Sequence, residues 1–237
     1  MKVLITAPAR QDPRIFDEYR KGIARLEIPP GCSVETFFVV NNCPALNDHM
    51  IDGDRWITFD TNEEYVKTGN DHLWTLSNME RMGELRDITI RYAMENGFDY
   101  WFSVDTDIVL QPETLRILLK ADKDIVSEIF WTMAPNGHYW CNAWMEDQAH
   151  GMPEEWHKPG LYQCGMTGAC TLVKRKVFEA GVRYKRIPNI RTALKGEDRH
   201  FCVRAACAGF DLWVDTHAPA RHLYTEKEYQ KYMAERK

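Results

Sequence analysis

Two aspartates that flank a single threonine, Asp105 and Asp107, are the residues of this 237-residue chain best suited to chemistry. Hard divalent cations such as Mg²⁺ and Mn²⁺ prefer carboxylate oxygens combined with the phosphate oxygens of a substrate. A diphosphate leaving group needs such a cation to neutralise its developing charge. A turn with two solvated acids is the alternative, because a bare pair of this spacing is common. The apolar strand predicted immediately before the pair favours a cation site.

A second acidic pair, Glu197 and Asp198, begins a predicted helix. The positive end of the helix dipole favours acids there, so helix capping is enough to explain the pair by position alone. A carboxylate within hydrogen-bond reach of a hydroxyl can also accept its proton during a nucleophilic attack. The pattern leaves both interpretations open.

The elements that must position these acids alternate between strands and helices. This alternation predicts an α/β fold with a Rossmann-like, mixed but mainly parallel sheet flanked by helices. In open sheets of this kind, ligands bind beyond the carboxyl ends of the strands. The predicted strands are Lys2–Ala7, Val34–Val40, Arg55–Phe59, Asp99–Asp107, Asp124–Thr132, Gly168–Val173 and Phe210–Val214. The predicted helices are Ile15–Leu26, Met79–Asn96, Pro112–Leu119, Arg175–Ala180, Gly196–Ala208 and Thr225–Arg236, the last opened by a capping box of Thr225 and Glu228.

The composition is that of an ordinary globular protein, with 44% hydrophobic and 27% charged residues, so disorder is not expected. Seven cysteines without a CxxC pair argue against a disulfide framework or a zinc ribbon. The N-terminal apolar run is too short for a signal peptide, and no run reaches the length of a transmembrane helix. A cytoplasmic location is therefore expected.

Aromatic residues concentrate in and around the long segment between residues 133 and 163. They favour either a platform for a sugar or acceptor or a satellite hydrophobic cluster, because aromatic side chains serve both roles. Gly168, in the strand that follows, would allow a ligand to approach the backbone closely. The aromatic residues concerned are Trp131, Tyr139, Trp140, Trp144 and Trp156.

A basic segment stands out in an otherwise acidic protein with a formal net charge of −5. Between Lys174 and Arg204 there are ten Lys or Arg residues and three Asp or Glu residues. Such a segment can face phosphates, which makes a phosphate-bearing acceptor, including DNA, a hypothesis to test. A solvated surface is the simpler alternative.

Several segments, taken in order, resemble the GT-A family of glycosyltransferases. Arg86–Leu119, which contains the triplet Asp105-Thr106-Asp107, is similar to the nucleotide-sugar core of that family. Gly165–Gly181 resembles its acceptor-side strand and helix, and Gly196–His222 resembles its acidic-pair helix, final strand and closing histidine. The resemblance implies one GT-A domain over residues 1–237, with a nucleotide-sugar half at about 1–110 and an acceptor half with the C-terminal helix at about 111–237.

The resemblance also implies a metal-dependent glycosyltransferase of the hexosyltransferase type that uses Mn²⁺ or Mg²⁺. In inverting members the aspartate of the acidic pair is the general base, which points to Asp198. Glu197 is then expected to orient the acceptor or the donor sugar. A single in-line displacement with inversion is expected, and retention stays open.

The closing histidine of the family implies His222 as a metal ligand beside Asp105 and Asp107. His217, five residues earlier, is the competitor. The family's spacing from Asp215 favours His222.

The donor is expected to lie against the first strand and the acidic triplet. The resemblance places the nucleobase beside a Pro-containing loop, and the nucleotide on an arginine and the triplet. Many relatives bind the base through an aspartate after the second strand, where this chain has Asn41. A UDP-sugar and a GDP-sugar therefore both stay open. The implied donor residues are Ala7, Pro8, Ala9, Arg10, Asn41, Arg86, Asp105 and Thr106.

Two other functions use similar residues. A nucleotidyltransferase also carries paired acids and a metal on an α/β sheet, but it usually has a Gly-rich phosphate loop early in the chain, and residues 6–14 contain no glycine. A non-catalytic sugar- or nucleotide-binding module is the second alternative. The acceptor stays open among a glycan, a lipid-linked sugar, a protein, a small molecule and a modified DNA base.

Overall fold

The computed structural model describes residues 1–61, 67–68, 71–72, 75–133, 138–145, 152–190 and 196–236. Within these ranges the strands are β1 (Lys2–Ala9), β2 (Ser33–Val40), β3 (Asp54–Thr58), β4 (Lys67–Thr68), β5 (Asp71–His72), β6 (Tyr100–Ser103), β7 (Ile108–Val109), β8 (Ile125–Met133), β9 (Tyr139–Cys141), β10 (Ala143–Trp144), β11 (Leu161–Cys164), β12 (Met166–Thr167), β13 (Thr171–Lys174) and β14 (Leu212–His222). The helices are α1 (Pro13–Ala24), α2 (Leu76–Glu95), α3 (Thr114–Ala121), α4 (Arg175–Glu179), α5 (Glu197–Cys207) and α6 (Glu226–Glu235), and short 3₁₀ turns span Pro44–His49 and Glu154–His157.

One mixed sheet organises the chain. Its strand order is β11-β14-β8-β13-β6-β1-β2-β3, with β7 attached to β14 and β9 attached to β8. Strands β3, β2, β1 and β6 run parallel to one another, and β8 runs parallel to β14. Strand β13 is inserted antiparallel between β6 and β8. The predicted fold class is confirmed, and the carboxyl ends of β1, β2 and β6 meet at one edge of the sheet.

Alternate side chains of the central strands fill two separate cores. Leu4 and Trp101 pack on the face that also receives apolar side chains from α2, α4 and α5. Ile5 and Phe102, their immediate neighbours in sequence, pack on the opposite face with α1 and α3. This alternation is the period of two expected for strands that are buried on both faces. No helix in the described part of the chain is both long and apolar enough to span a bilayer.

The strand before the acidic triplet is shorter than predicted and ends at Ser103. The amide of Ile108 donates to the carbonyl of Asp105 at 2.9 Å, so the chain turns tightly here before β7 begins. The turn carries the two aspartates beyond the end of the sheet. The strand predicted over Gly168–Val173 begins only at Thr171. The residue before it, Cys170, has a left-handed backbone with φ of 65°, which a strand does not accommodate.

The last strand is longer than predicted and runs to His222 instead of ending at Val214. Polar residues and Pro219 made the second half of this strand look like a loop. A register irregularity against β8 between Asp215 and Ala220 accommodates them. The predicted capping box at the start of α6 is present, with Thr225 and Glu228 bonded reciprocally.

Candidate active site

A cavity lies beyond the carboxyl ends of β1, β2 and β6, where an open α/β sheet binds its ligands. The end of β1, the residues after β2, the amino-terminal half of α2 and the acidic triplet enclose it. Its lining includes the predicted donor residues Pro8, Ala9, Arg10, Asn41, Asp105 and Thr106, together with Gln11, Asn42, Thr61, Asn78, Arg81, Met82, Leu85 and Asp107. Ala7 is fully buried in the core and is not part of this lining.

Arg86, on α2, joins the two acidic motifs. Its Nη2 donates to Oδ1 of Asp105 at 2.8 Å and its Nε donates to Oε1 of Glu197 at 3.0 Å. The third nitrogen, Nη1, donates to the Ser103 hydroxyl at 2.6 Å. Although burial lowers the pKa of Arg86, the carboxylates of Asp105 and Glu197 outweigh it and raise that pKa further above its usual range. Arg86 was predicted to hold the nucleotide, but its guanidinium is used to hold these protein groups.

Asp107 lines this cavity, and His222 lies next to Asp107. Nε2 of His222 is 3.5 Å from Oδ2 of Asp107, and the Leu223 amide donates to the Asp107 carbonyl at 2.7 Å. The Thr132 hydroxyl bonds Nδ1 of His222 at 2.7 Å, which fixes the orientation of the ring. Burial by itself lowers the pKa of His222, but the Asp107 carboxylate reverses the effect and raises it.

The competing histidine, His217, lies elsewhere on β14. Its Nδ1 is 3.0 Å from Oδ1 of Asp215, and nearly half of its side chain is exposed. The structure therefore brings His222, and not His217, to Asp107. Across the described ranges, no group of three or more His, Cys, Asp or Glu side chains is arranged to hold a metal by itself.

Two asparagines after β2 shape the wall of the cavity. Nδ2 of Asn41 donates to the Phe59 carbonyl at 2.6 Å, and Asn42 exchanges bonds with the backbone of Thr61 at 2.9 and 2.7 Å. An aspartate could not donate these bonds, which gives a structural reason for asparagine here. The hydrogen bond to Phe59 uses the side-chain nitrogen of Asn41, and the side-chain oxygen is an acceptor.

Asp198 begins α5 beside Glu197, one residue from the Arg86 bridge. Its Oδ1 accepts a hydrogen bond from the backbone amide of Arg199 at 3.1 Å, and 23% of its side chain is exposed. Gly168 faces it, since a Cβ at that position would lie 2.9 Å from Oδ2 of Asp198. Gly168 was expected to admit a ligand, and it admits this carboxylate.

The fold of this chain is shared with solved structures. Residues 1–349 of S. aureus TarS in complex with UDP-GlcNAc align with a TM-score of 0.58 and 12% identity, over 93% of this chain and 57% of that one. The same part of TarS in complex with UDP gives a TM-score of 0.58 and 12% identity, over 93% and 59% of the two chains. This chain has the GT-A fold.

Curated proteins similar to the GT-A chain are much longer than it is. Procollagen galactosyltransferase 2 of Homo sapiens is 25% identical over 124 residues, which are 50% of this chain and 20% of that protein. Procollagen galactosyltransferase 1-A of Xenopus laevis is 33% identical over 69 residues, 29% of this chain and 11% of that protein. Procollagen-lysine,2-oxoglutarate 5-dioxygenase 1 of Bos taurus is 36% identical over 58 residues, 24% of this chain and 8% of that protein. The chain thus spans a fifth or less of these relatives, and no protein-family model matches it.

The predicted aromatic platform is not one surface in this GT-A fold. Trp156 is buried in the core, and Trp131 stacks on His157 with ring centroids 4.8 Å apart. The face of Trp144 is covered by the guanidinium of Arg199, 3.7 Å away. Only Trp140 and its neighbour Tyr139 among the five are exposed, on β9. Trp156 is therefore a residue of the main hydrophobic core and not part of an exposed platform.

Most of the basic side chains between residues 174 and 204 that the structure describes contact carboxylates or backbone carbonyls of the protein. Lys174 pairs with Asp122 at 2.6 Å, Lys176 with Asp124 at 2.8 Å and Arg186 with Glu80 at 3.1 Å. Arg191 and Lys195 lie outside the described residues. The pairing favours the solvated-surface alternative over a phosphate-binding surface.

Several residues of the site escaped sequence reasoning. Gln11, Asn78, Arg81 and Thr61 line the cavity, and none of them was predicted as a site residue. Thr132 was read only as the end of a strand. No local pattern marks these residues, because strand order alone brings them to the same edge.

Proposed function

We propose that this chain is a metal-dependent, inverting glycosyltransferase that moves a sugar from a nucleotide-sugar donor to an acceptor hydroxyl. The observation that carries the proposal is the Arg86 bridge. It joins the acid at the end of the cavity, Asp105, to the pair that contains the proposed base, Glu197 and Asp198. A donor in the cavity would thus end beside a carboxylate that can activate an acceptor.

Asp107 and His222 would hold the divalent cation. One carboxylate and one imidazole, 3.5 Å apart, leave most coordination positions to diphosphate oxygens and water. Asp105 already gives one oxygen to Arg86, so it can contribute only its second oxygen. The nitrogen donor suits Mn²⁺ better than Mg²⁺, which prefers oxygen ligands. When bound, the cation would neutralise the charge that develops on the leaving diphosphate.

A UDP-sugar is the donor that we propose first. The TarS structures that share this fold hold UDP-GlcNAc and UDP. In this chain Asn41 lines the cavity, and an asparagine side-chain oxygen can accept the N3–H of uracil. A GDP-sugar is the alternative, and galactose is included among the sugars because of the procollagen galactosyltransferases.

Side chains of this protein would accept the proton and orient the reactants. The acceptor hydroxyl oxygen bonds to the anomeric carbon while the bond from that carbon to the diphosphate oxygen breaks, and the nucleoside diphosphate leaves. Asp198 accepts the hydroxyl proton. Glu197, held by Arg86, orients the sugar or the acceptor, and attack from the side opposite to the leaving group inverts the anomeric centre.

The test is a donor screen with UDP-GlcNAc, UDP-galactose, UDP-glucose and GDP-mannose, measured as nucleotide release with Mn²⁺, with Mg²⁺ and with EDTA. We expect metal-dependent release of UDP from at least one donor and loss of release in Asp198→Asn, with donor binding kept. Pyrophosphate release from UTP would instead indicate a nucleotidyltransferase. Donor binding without turnover, for any acceptor offered, would indicate a binding module. NMR of the product's anomeric proton tests inversion.

A further inference from the structure

The carboxylate of Asp198 occupies a space that two glycines leave open. A Cβ at Gly196 would lie 2.5 Å from Oδ1 and a Cβ at Gly168 would lie 2.9 Å from Oδ2. Real Cβ atoms do not approach a carboxylate oxygen this closely. A side chain at either position would therefore displace the carboxylate, so its present position depends on both glycines.

Arg199, the next residue of α5, places its guanidinium next to the carboxylate of Asp198. Its side chain is only 4% exposed and its Nη1 lies 3.3 Å from Oδ2 of Asp198. The guanidinium lies over Trp144 with its carbon 3.7 Å from the ring centroid, within the range of a cation–π contact. The guanidinium of Arg199 thus packs on Trp144 and also pairs with the carboxylate of Asp198.

The bonding of Arg199 is incomplete. Its Nε and Nη1 are buried, and neither has an aligned hydrogen-bond partner within the ranges that the structure describes. A desolvated cation with unsatisfied donors costs stability, and an apolar side chain of similar length is often better tolerated. Residues that cost stability at a site are commonly kept for function.

We propose that Arg199 is a positioning residue, which holds the carboxylate of Asp198 in its reactive orientation with Trp144 as its support. The inference rests on the proposed function, because it takes Asp198 to be the general base. It also gives Trp144 a different role from the predicted sugar platform, since the ring face is already occupied by the guanidinium.

The test compares Arg199→Met with Arg199→Lys in the full chain, using the donor that the wild type turns over in the screen and Mn²⁺. Met keeps the length and the apolar packing on Trp144, whereas Lys also keeps the charge. We expect Arg199→Met to lower kcat on the order of 100-fold with an unchanged donor KM. We expect Arg199→Lys to recover part of that loss. The melting temperature of Arg199→Met should stay the same or rise, because the unsatisfied donors are removed.

A purely structural role gives the opposite pattern. Arg199→Met would then melt at a lower temperature, and Lys would be no more active than Met. The control is Arg116→Met, which removes an exposed arginine paired with Glu27 on the far surface and should leave kcat unchanged. Wild-type turnover in Arg199→Met would overturn the inference directly.

A double variant separates this inference from the proposed function. If Arg199 acts through Asp198, adding Arg199→Met to Asp198→Asn should cause no further loss of turnover. Two independent, multiplying losses would overturn the positioning role and leave the base assignment intact. Near-normal turnover of Asp198→Asn alone would overturn the base assignment itself, whatever Arg199 does.

Discussion

Glu128 and Asp215 occupy paired positions on the parallel strands β8 and β14, and both side chains are buried. Burial, reinforced by the negative charge of Asp215, raises the pKa of Glu128 to about 9. The backbone amides of Ala218 and Ile129 offset only part of this increase. Glu128 is therefore protonated at neutral pH in the folded protein, while an unfolded glutamate with a pKa of about 4.3 is charged.

This difference predicts a pH-dependent stability that Glu128→Gln removes. Folding takes up a proton between about pH 4.3 and the raised pKa, so wild-type stability is full below that range and falls as the pH rises. The free energy of unfolding of the wild type should fall relative to Glu128→Gln by about 1.4 kcal/mol per pH unit. Urea unfolding at several pH values between about 5 and 8 measures the slope.

Asp215→Asn provides the matched comparison for this prediction. Removing the neighbouring charge should lower the pKa of Glu128 and narrow the range over which stability falls. A difference between wild type and Glu128→Gln that does not change with pH would contradict the assignment.

Arg86→Met should destabilise the fold strongly. The variant leaves the carboxylates of Asp105 and Glu197 without their shared cation, and breaking a buried ion pair in this way costs about 3–5 kcal/mol. Equilibrium urea unfolding gives the value. Arg116→Met, which breaks an exposed pair with Glu27, should cost less than about 1 kcal/mol. Equal losses in the free energy of unfolding of the two variants would contradict a large stabilising contribution from the Arg86 bridge.

Gly168→Ala should impair turnover more than stability. The added methyl group would lie 2.9 Å from Oδ2 of Asp198, so the carboxylate has to move away from its position. We expect a loss of kcat on the order of 10-fold or more with little change in donor KM. Gly31→Ala, at the opposite end of the sheet and in open space, should cost stability through its φ of 75° without a loss of kcat.

His222→Ala and Asp107→Ala should each weaken the metal dependence of donor binding. Both variants remove a group that we propose to face the cation. Isothermal titration of Mn²⁺ together with UDP should give an affinity at least about 10-fold lower than that of the wild type. His217→Ala is the control, since that histidine bonds Asp215 instead. Equal effects of the two histidine variants would argue against the assignment of His222.

Local patterns in the sequence determined the order of elements. Short apolar and β-branched runs predicted β1 and β2, and helical spacing predicted α1, because these signals lie within one segment. The capping box of Thr225 and Glu228 was predictable for the same reason. The acidic triplet was conspicuous because charges directly follow a strand.

The sequence by itself therefore determined the GT-A fold and the identity of its acidic motifs. Only the tertiary structure decided that Arg86 pairs with Glu197, that His222 lies beside Asp107, and that Trp144 supports Arg199. These contacts join residues that are far apart in the chain, and they form because β13 is inserted between β6 and β8 and β14 lies beyond β8. The raised pKa of Glu128 could not be predicted for a similar reason. Its partner Asp215 lies on a distant strand, and only the strand order places the two side by side.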